Sequence, residues 1–275
     1  MNVASLSSAD LAVLSEKATW IRRQAVTMVH ASKSGHLGSA LSAVELLTVL
    51  YGAFLKTNPN DPRWPERDRF ILSKGHGGSG LYATLAAFGH IPEALLQTYG
   101  KDGGTLAVHP SSMIFPQAET STGSLGHGFP IGVGMAIAAQ RDGKSHRVVT
   151  IVSDGECDEG STWEAALFSG HHHLDQLLCI VDYNKIQSFG RTEEVLSLEP
   201  FADKWKAFGW GVREVDGHDI AAIAKTLSQF PFDAGKPSVI IAHTVKGKGL
   251  PQAEDTVSSH YLTPTEEQLR ALCTP

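Results

Sequence analysis

Cysteine is scarce: three residues, at positions 157, 179 and 273, in a chain of 275. An odd, unpatterned set fits a reducing cytoplasm. No apolar run approaches the ~20 residues that a membrane-spanning helix needs. The first ten residues carry no basic stretch ahead of an apolar one, so no signal peptide is expected. Blocks of Lys and Arg are missing too, and a net charge of −6 argues against a nucleic-acid surface. Long repeats, low-complexity segments and linkers are absent, which predicts one domain over 1–275. What remains is ordinary globular composition, 42% hydrophobic and 19% charged, with enough chain for a large core.

The informative stretch is 148–186. Val148-Val-Thr-Ile-Val152 and Leu177-Leu-Cys-Ile-Val181 read as buried strands of a parallel sheet. Each runs into a polar loop that offers a hard oxygen ligand, Asp154 after the first and Asn184 after the second. Ser161-Thr-Trp-Glu164 has a capping-box pattern and predicts the helix between them. Strand, helix and strand form a βαβ unit, whose two loops share one sheet edge. Ligands of open α/β sheets bind at that edge. A carboxylate and an amide oxygen meeting there suit Mg²⁺ or Ca²⁺, which often bridge to a phosphate. Taken alone, Asp-Gly after a strand is also an ordinary turn.

Elsewhere the pattern alternates. Leu11, Leu14, Ala18, Ile21, Ala25 and Met28 predict a helix over 8–32. Ser42-Ala-Val-Glu45 predicts a capped helix to about Leu55. A strand is expected at 69–72, helices at 81–88, 92–100 and 130–140, and a loop at 191–199 able to fold over a ligand. A helix over 201–208, a strand over 211–215, a helix over 219–229 and a strand over 238–243 follow. The glycine loop 244–249 leads through irregular chain to a last helix, capped by Thr263-Pro-Thr-Glu266. Gly75, Gly77 and Gly80 formally match a dinucleotide fingerprint, but the preceding strand is short and Asp102 is a poor ribose acid. The whole predicts an α/β fold, a mostly parallel sheet with helices on both faces.

Several motifs sit along this frame: Ser34-Gly-His-Leu-Gly38, Arg67-Asp-Arg-Phe70, Ser73-Lys-Gly-His-Gly77, His109-Pro110 and Thr122-Gly-Ser-Leu-Gly-His-Gly128. Asp154-Gly-Glu-Cys-Asp-Glu-Gly160, Gly209-Trp-Gly and Val215-Asp-Gly-His-Asp219 follow. In this order and spacing they resemble the N-terminal half of transketolase, over about 34–260. Asp154-Gly with Asn184 resembles that family's thiamine diphosphate motif, except that Ser153 stands where the motif has Gly. A side chain there threatens the close backbone approach that Gly permits.

The resemblance implies the thiamine diphosphate-binding fold, as its pyrophosphate domain, with the pyrimidine-binding and C-terminal domains absent. It implies a divalent metal, Mg²⁺ with Ca²⁺ or Mn²⁺ as substitutes, on Asp154, Asn184 and the carbonyl of Ile186. It places His76, Gly123, Leu125, Gly155, Glu156, Glu159, Asn184 and His260 at the cofactor. Of these, Gly123 offers its carbonyl to the aminopyrimidine and Glu159 links the halves of a dimer. His36, His109 and His260 would face the donor's hydroxyls and relay protons, work that imidazole suits near neutral pH. His127 aligns with a Gln of many relatives and is expected behind the site. Cys157 should be inert, Trp163 and Trp205 core, and Asp216 and His218 a helix cap. His171-His-His173 is not expected to bind metal, because consecutive helical residues point different ways.

In that family the cofactor-activating Glu and the groups holding the sugar phosphate belong to the pyrimidine-binding domain. A separate subunit carrying it, in an α₂β₂ assembly, is therefore the expected partner, with a phosphorylated ketose as donor and the cytoplasm as setting. Two other readings stay open. One is a transketolase-like subunit that passes its two-carbon unit to a carrier-protein thiol or lipoyl group. The other is a non-catalytic cofactor-binding chain, for which Ser153 is the hint.

Overall fold

The structure, a computed structural model, describes residues 1–273. Five strands form its sheet: β1 (Arg69–Leu72), β2 (Val148–Ser153), β3 (Leu177–Tyr183), β4 (Gly211–Asp216) and β5 (Ser238–His243). Their order is β1-β2-β3-β5-β4 and every pairing is parallel. Parallel strands are covered on both faces, so they read as continuous apolar runs. All residues of β2 and β3 are accordingly buried.

Alternate strand residues feed two separate cores. Val149, Ile151, Leu178 and Ile180 face one side with α1 (Ser8–Ser32), α2 (Leu37–Ser42), α3 (Val44–Val49), α4 (Gly78–Ala87) and α9 (Ile220–Leu227). Val148, Val152, Leu177, Cys179 and Val181 face the other, with α5 (Gly128–Arg141), α6 (Gly160–His171) and α8 (Phe201–Ala207). There Phe129, Trp205 and Trp210 stack with ring centroids 5.0–6.2 Å apart. Trp163, expected in the core, is only partly buried and donates its indole N–H to the Cys157 carbonyl at 2.7 Å. Two short helices complete the chain, α7 (Thr192–Val195) within the 191–199 loop and α10 (Glu266–Cys273).

Three predicted caps are not where the pattern placed them. Ser42 ends a helix rather than opening one. Its hydroxyl donates to Asp182 at 2.6 Å, while the helix restarts at Val44 and finishes in a π-turn over Leu50–Phe54. Ser161 lies inside α6 and donates to the Gly126 carbonyl at 2.6 Å. At α10 the reciprocal pair is Thr265 and Gln268, at 3.2 and 2.8 Å, not Thr263 and Glu266. Residues Glu93–Thr98 form 3₁₀ turns, with Pro92 just outside them. Gly80 sits within α4, which begins at Gly78 after a 3₁₀ turn.

Candidate functional site

β2 and β3 run side by side in register, with Ser153 beside Asp182, so the residues that follow emerge together at the carboxyl edge of the sheet. They line a cleft of about 450 Å³ that holds Asp154, Gly155, Asn184 and Ile186. Asp154 is 1% exposed. Its Oδ1 accepts from the Gly155 N–H at 2.8 Å and its Oδ2 from the Lys185 N–H at 2.5 Å. Burial, and then the Asp182 carboxylate, push its carboxyl up to about 7. Asn184 donates to Asp182 at 3.3 Å, and its Oδ1 accepts from the Ile186 N–H at 3.1 Å. The Ile186 carbonyl accepts from Lys246 Nζ at 2.9 Å.

This donor set fits a hard cation. Carboxylate, amide and carbonyl oxygens each keep a lone pair beyond the bonds just given. Among the described residues the buried Asp154 carboxyl has only backbone N–H groups as hydrogen-bond partners, and a divalent ion would favour its ionised form. On the Ile186 carbonyl a cation already rests, the Lys246 ammonium.

Lys246 gives no signal in the sequence: its glycine loop stands out and the lysine within it does not. It is 2% exposed, lines the cleft, and also reaches the Gln187 carbonyl at 3.2 Å and His260 Nδ1 at 3.4 Å. Burial holds its ammonium down at about 8. Ser39 is equally silent: its hydroxyl meets His76 Nε2 at 2.7 Å. Beneath the cleft, fully buried Lys74 pairs with fully buried Asp182, which also accepts from Ser42, Asn184 and Thr244. Nothing local in the sequence marks that network, since its members come from separate segments of the chain.

The histidines expected at the site gather at one end of the cleft. His36 Nδ1 lies 3.2 Å from His260 Nε2, and the His36 ring is 5.3 Å from that of His109 and 5.6 Å from that of His76. Burial lowers all four below the usual imidazole value, His260 to about 4 with help from Lys246 and His36. Near neutral pH they are therefore uncharged, each with one donor and one acceptor nitrogen. His36 has a left-handed backbone, φ 68°, and its N–H donates to the His260 carbonyl at 2.7 Å. Gly123, at φ 142°, abuts His109: a Cβ there would lie 2.8 Å from its ring.

Leu125 and Glu159 line the cleft, Glu159 exposed. Glu156 does not line it. It is fully buried and accepts from Ser73 Oγ at 2.5 Å and the Gly126 N–H at 3.0 Å, tying two loops together. Burial pushes its carboxyl up to about 7. Ser153 lines the cleft but uses its hydroxyl to accept from the Glu156 N–H at 3.1 Å, capping the turn that follows. His127 is exposed, with Nδ1 3.0 Å from the Leu125 carbonyl. Cys157 is buried, which drives its thiol well up. His171 and His173 are exposed at the far end of α6.

Fold and cleft together define an open-sheet α/β protein with an oxygen-rich, histidine-flanked ligand site at its strand ends. The sequence matches the family model described as transketolase, thiamine diphosphate binding domain, over residues 14–273. Subunit SqwG of the 6-deoxy-6-sulfo-D-fructose transketolase of a Clostridium species is 44% identical, with 94% of each chain covered. One of the named subunits of the apulose-4-phosphate transketolase of Actinobacillus succinogenes is 42% identical over 98% of this chain and 96% of that one. Transketolase from Leishmania mexicana superimposes with a TM-score of 0.88 at 31% identity, over 94% of this chain. The chain spans 40% of that solved transketolase. It belongs to the transketolase family, a transferase family, and carries its thiamine diphosphate-binding domain. No helix among the described residues is long and apolar enough to cross a membrane.

Proposed function

We propose that this chain is the cofactor-diphosphate-binding subunit of a two-component transketolase. The observation that carries the reading is the meeting of Asp154, Asn184 and Ile186 oxygens at the ends of β2 and β3, with four histidines beside them. Asp154, Asn184 and the Ile186 carbonyl would hold Mg²⁺, and Gly155, His76, Lys246 and His260 would meet the diphosphate. Gly123, Leu125 and Glu159 would face the rest of the cofactor or the partner, while Glu156 keeps the loops in place from behind. Thiamine diphosphate, when bound, supplies a stabilised carbanion. This chain's own work is to orient the donor and handle its protons: His36, His109 and His260, uncharged at neutral pH, can each accept a hydroxyl proton and return it.

The Clostridium and Actinobacillus relatives, covered over 94% and 96% of their length, are named as subunits, which supports a separate partner subunit; the reading gives that partner the pyrimidine-binding domain, in an α₂β₂ assembly. Their names cite sugars bearing a sulfo or phosphate group, which supports an anionic ketose donor. A cytoplasmic setting belongs to the same reading, and Cys157 and Cys179 are free thiols. Calorimetric titration with thiamine diphosphate tests the metal assignment. Binding should require Mg²⁺ and weaken more than ~100-fold in Asp154→Ala, beyond the cost of losing an outer-shell partner. Undiminished binding by that variant would refute the assignment.

A further inference from the structure

The loop 244–249 delivers Lys246 to the cleft, and its backbone is gripped from both ends by one side-chain cluster. At one end the Val245 N–H donates to His218 Nε2 at 2.8 Å. At the other, Arg22 Nε donates to the Lys248 carbonyl at 2.9 Å. Glu45 joins the two grips, accepting from His218 at 2.9 Å through Oε2 and from Arg22 at 2.5 Å through Oε1. Arg22 comes from α1, Glu45 from α3 and His218 from the turn before α9. Gly249 leaves room for this grip, since a Cβ there would lie 2.4 Å from Arg22 Cδ.

The chemistry fixes the direction of each bond. A backbone N–H can only donate, so His218 Nε2 must accept and the imidazole proton must sit on Nδ1, where Glu45 takes it. The imidazole side chain caps no helix: Asp219 caps α9, and the Asp216 side chain accepts from the backbone N–H of His218, not from its ring. A carboxylate that fixes an imidazole's tautomer and orientation is the arrangement by which outer-shell partners orient ligands at metal sites; here the imidazole holds a loop backbone instead.

We propose that His218 and Glu45 are positioning residues for Lys246, setting the loop so that its ammonium meets the anionic end of the cofactor. The proposal rests on the cofactor reading above. Two near-isosteric variants separate the bonds: in Gln the amide oxygen takes the place of Nε2, and in Asn the amide nitrogen takes that of Nδ1. His218→Gln keeps the acceptor for Val245, whereas His218→Asn keeps only the Glu45 contact.

The experiment measures amide hydrogen exchange at 244–249 in the ligand-free chain, then calorimetric thiamine diphosphate affinity with Mg²⁺, for wild type, both variants and Lys246→Met. We expect Val245 protected in wild type and His218→Gln and exposed in His218→Asn. Affinity should fall about tenfold in His218→Asn and Lys246→Met but not in His218→Gln, with thermal midpoints of the two His218 variants alike. Equal exchange and affinity in the two His218 variants would overturn the proposal. So would normal affinity in Lys246→Met while wild type binds. If wild type bound no cofactor, the functional reading would fail, and the exchange comparison would still decide whether His218 places the loop.

Discussion

His109 and His260 sit within one cluster yet invite different measurements. His109 touches His36 edge-on and backs onto Gly123, and it is not among the residues that line the cleft with Asp154 and Asn184. In the assembled enzyme His109→Ala should slow donor cleavage by about 10²–10⁴-fold, the usual worth of a positioned proton-transfer group. Cofactor affinity should stay within a few-fold; single-turnover kinetics beside calorimetry would show the split.

His260 carries a stability signature instead. Its folded value, about 4, lies below the ordinary 6.5, so the unfolded chain binds its proton first. That contribution is complete above about pH 6.5 and is lost as pH falls towards 4. The thermal midpoint of wild type should therefore drop more steeply over that window than that of His260→Gln. His36, His76 and His109 act in the same direction, whereas Asp154 and Glu156, both raised, act in the opposite one. The difference between wild type and variant reads His260 together with the part of the His76 shift that it causes.

At the scale of elements, what holds the cleft floor is the ion pair joining the loop after β1 to β3. Lys74 and Asp182 are both fully buried. Removing one partner strands the other charge, at a cost of about 3–5 kcal/mol for such pairs. Lys74→Met should lose stability of that order in urea unfolding, and Lys74→Met with Asp182→Asn should recover part of it. Partial recovery is expected because Ser42, Asn184 and Thr244 also lean on Asp182.

This network also explains what the sequence concealed. The strands and the long helix Ser8–Ser32 were legible because burial imposes a period of its own on each. Hydroxyls mislead because their pattern is local and their use is not. Ser42 has a cap's spacing and serves Asp182; Ser161 has a cap's spacing and serves the Gly126 carbonyl. Asp154 and Asn184 were legible because both follow strands directly, whereas Lys246 reaches the same cleft through a loop whose course depends on Arg22, Glu45 and His218.

For the whole molecule, the cleft is open on a rim that carries Phe189, 84% exposed, and Leu196, 55% exposed. Apolar groups at the mouth of a polar cleft are consistent with a second chain closing over it. Ketol transfer should appear only when this chain is mixed with a subunit bearing the pyrimidine-binding domain; each chain assayed alone should give background rates. Turnover by this chain by itself, purified free of any partner, would end the two-component reading. The sheet and the shared edge of its loops followed from apolar runs and the parallel βαβ arrangement. The closing of one segment over another did not, because it depends on pairs more than two hundred residues apart.

The contact between His36 and His260 is one such pair, 224 residues apart, and Arg22 reaches Lys248 across 226. A chain made from its amino end at ~5–20 residues per second leaves the early histidine waiting roughly ten seconds or more for its mate. The sheet edge with Asp154 and Asn184 emerges in between. A chain still being made thus carries Asp154 and Asn184 before it owns His260, so the pairing of His36 with His260 comes late in synthesis.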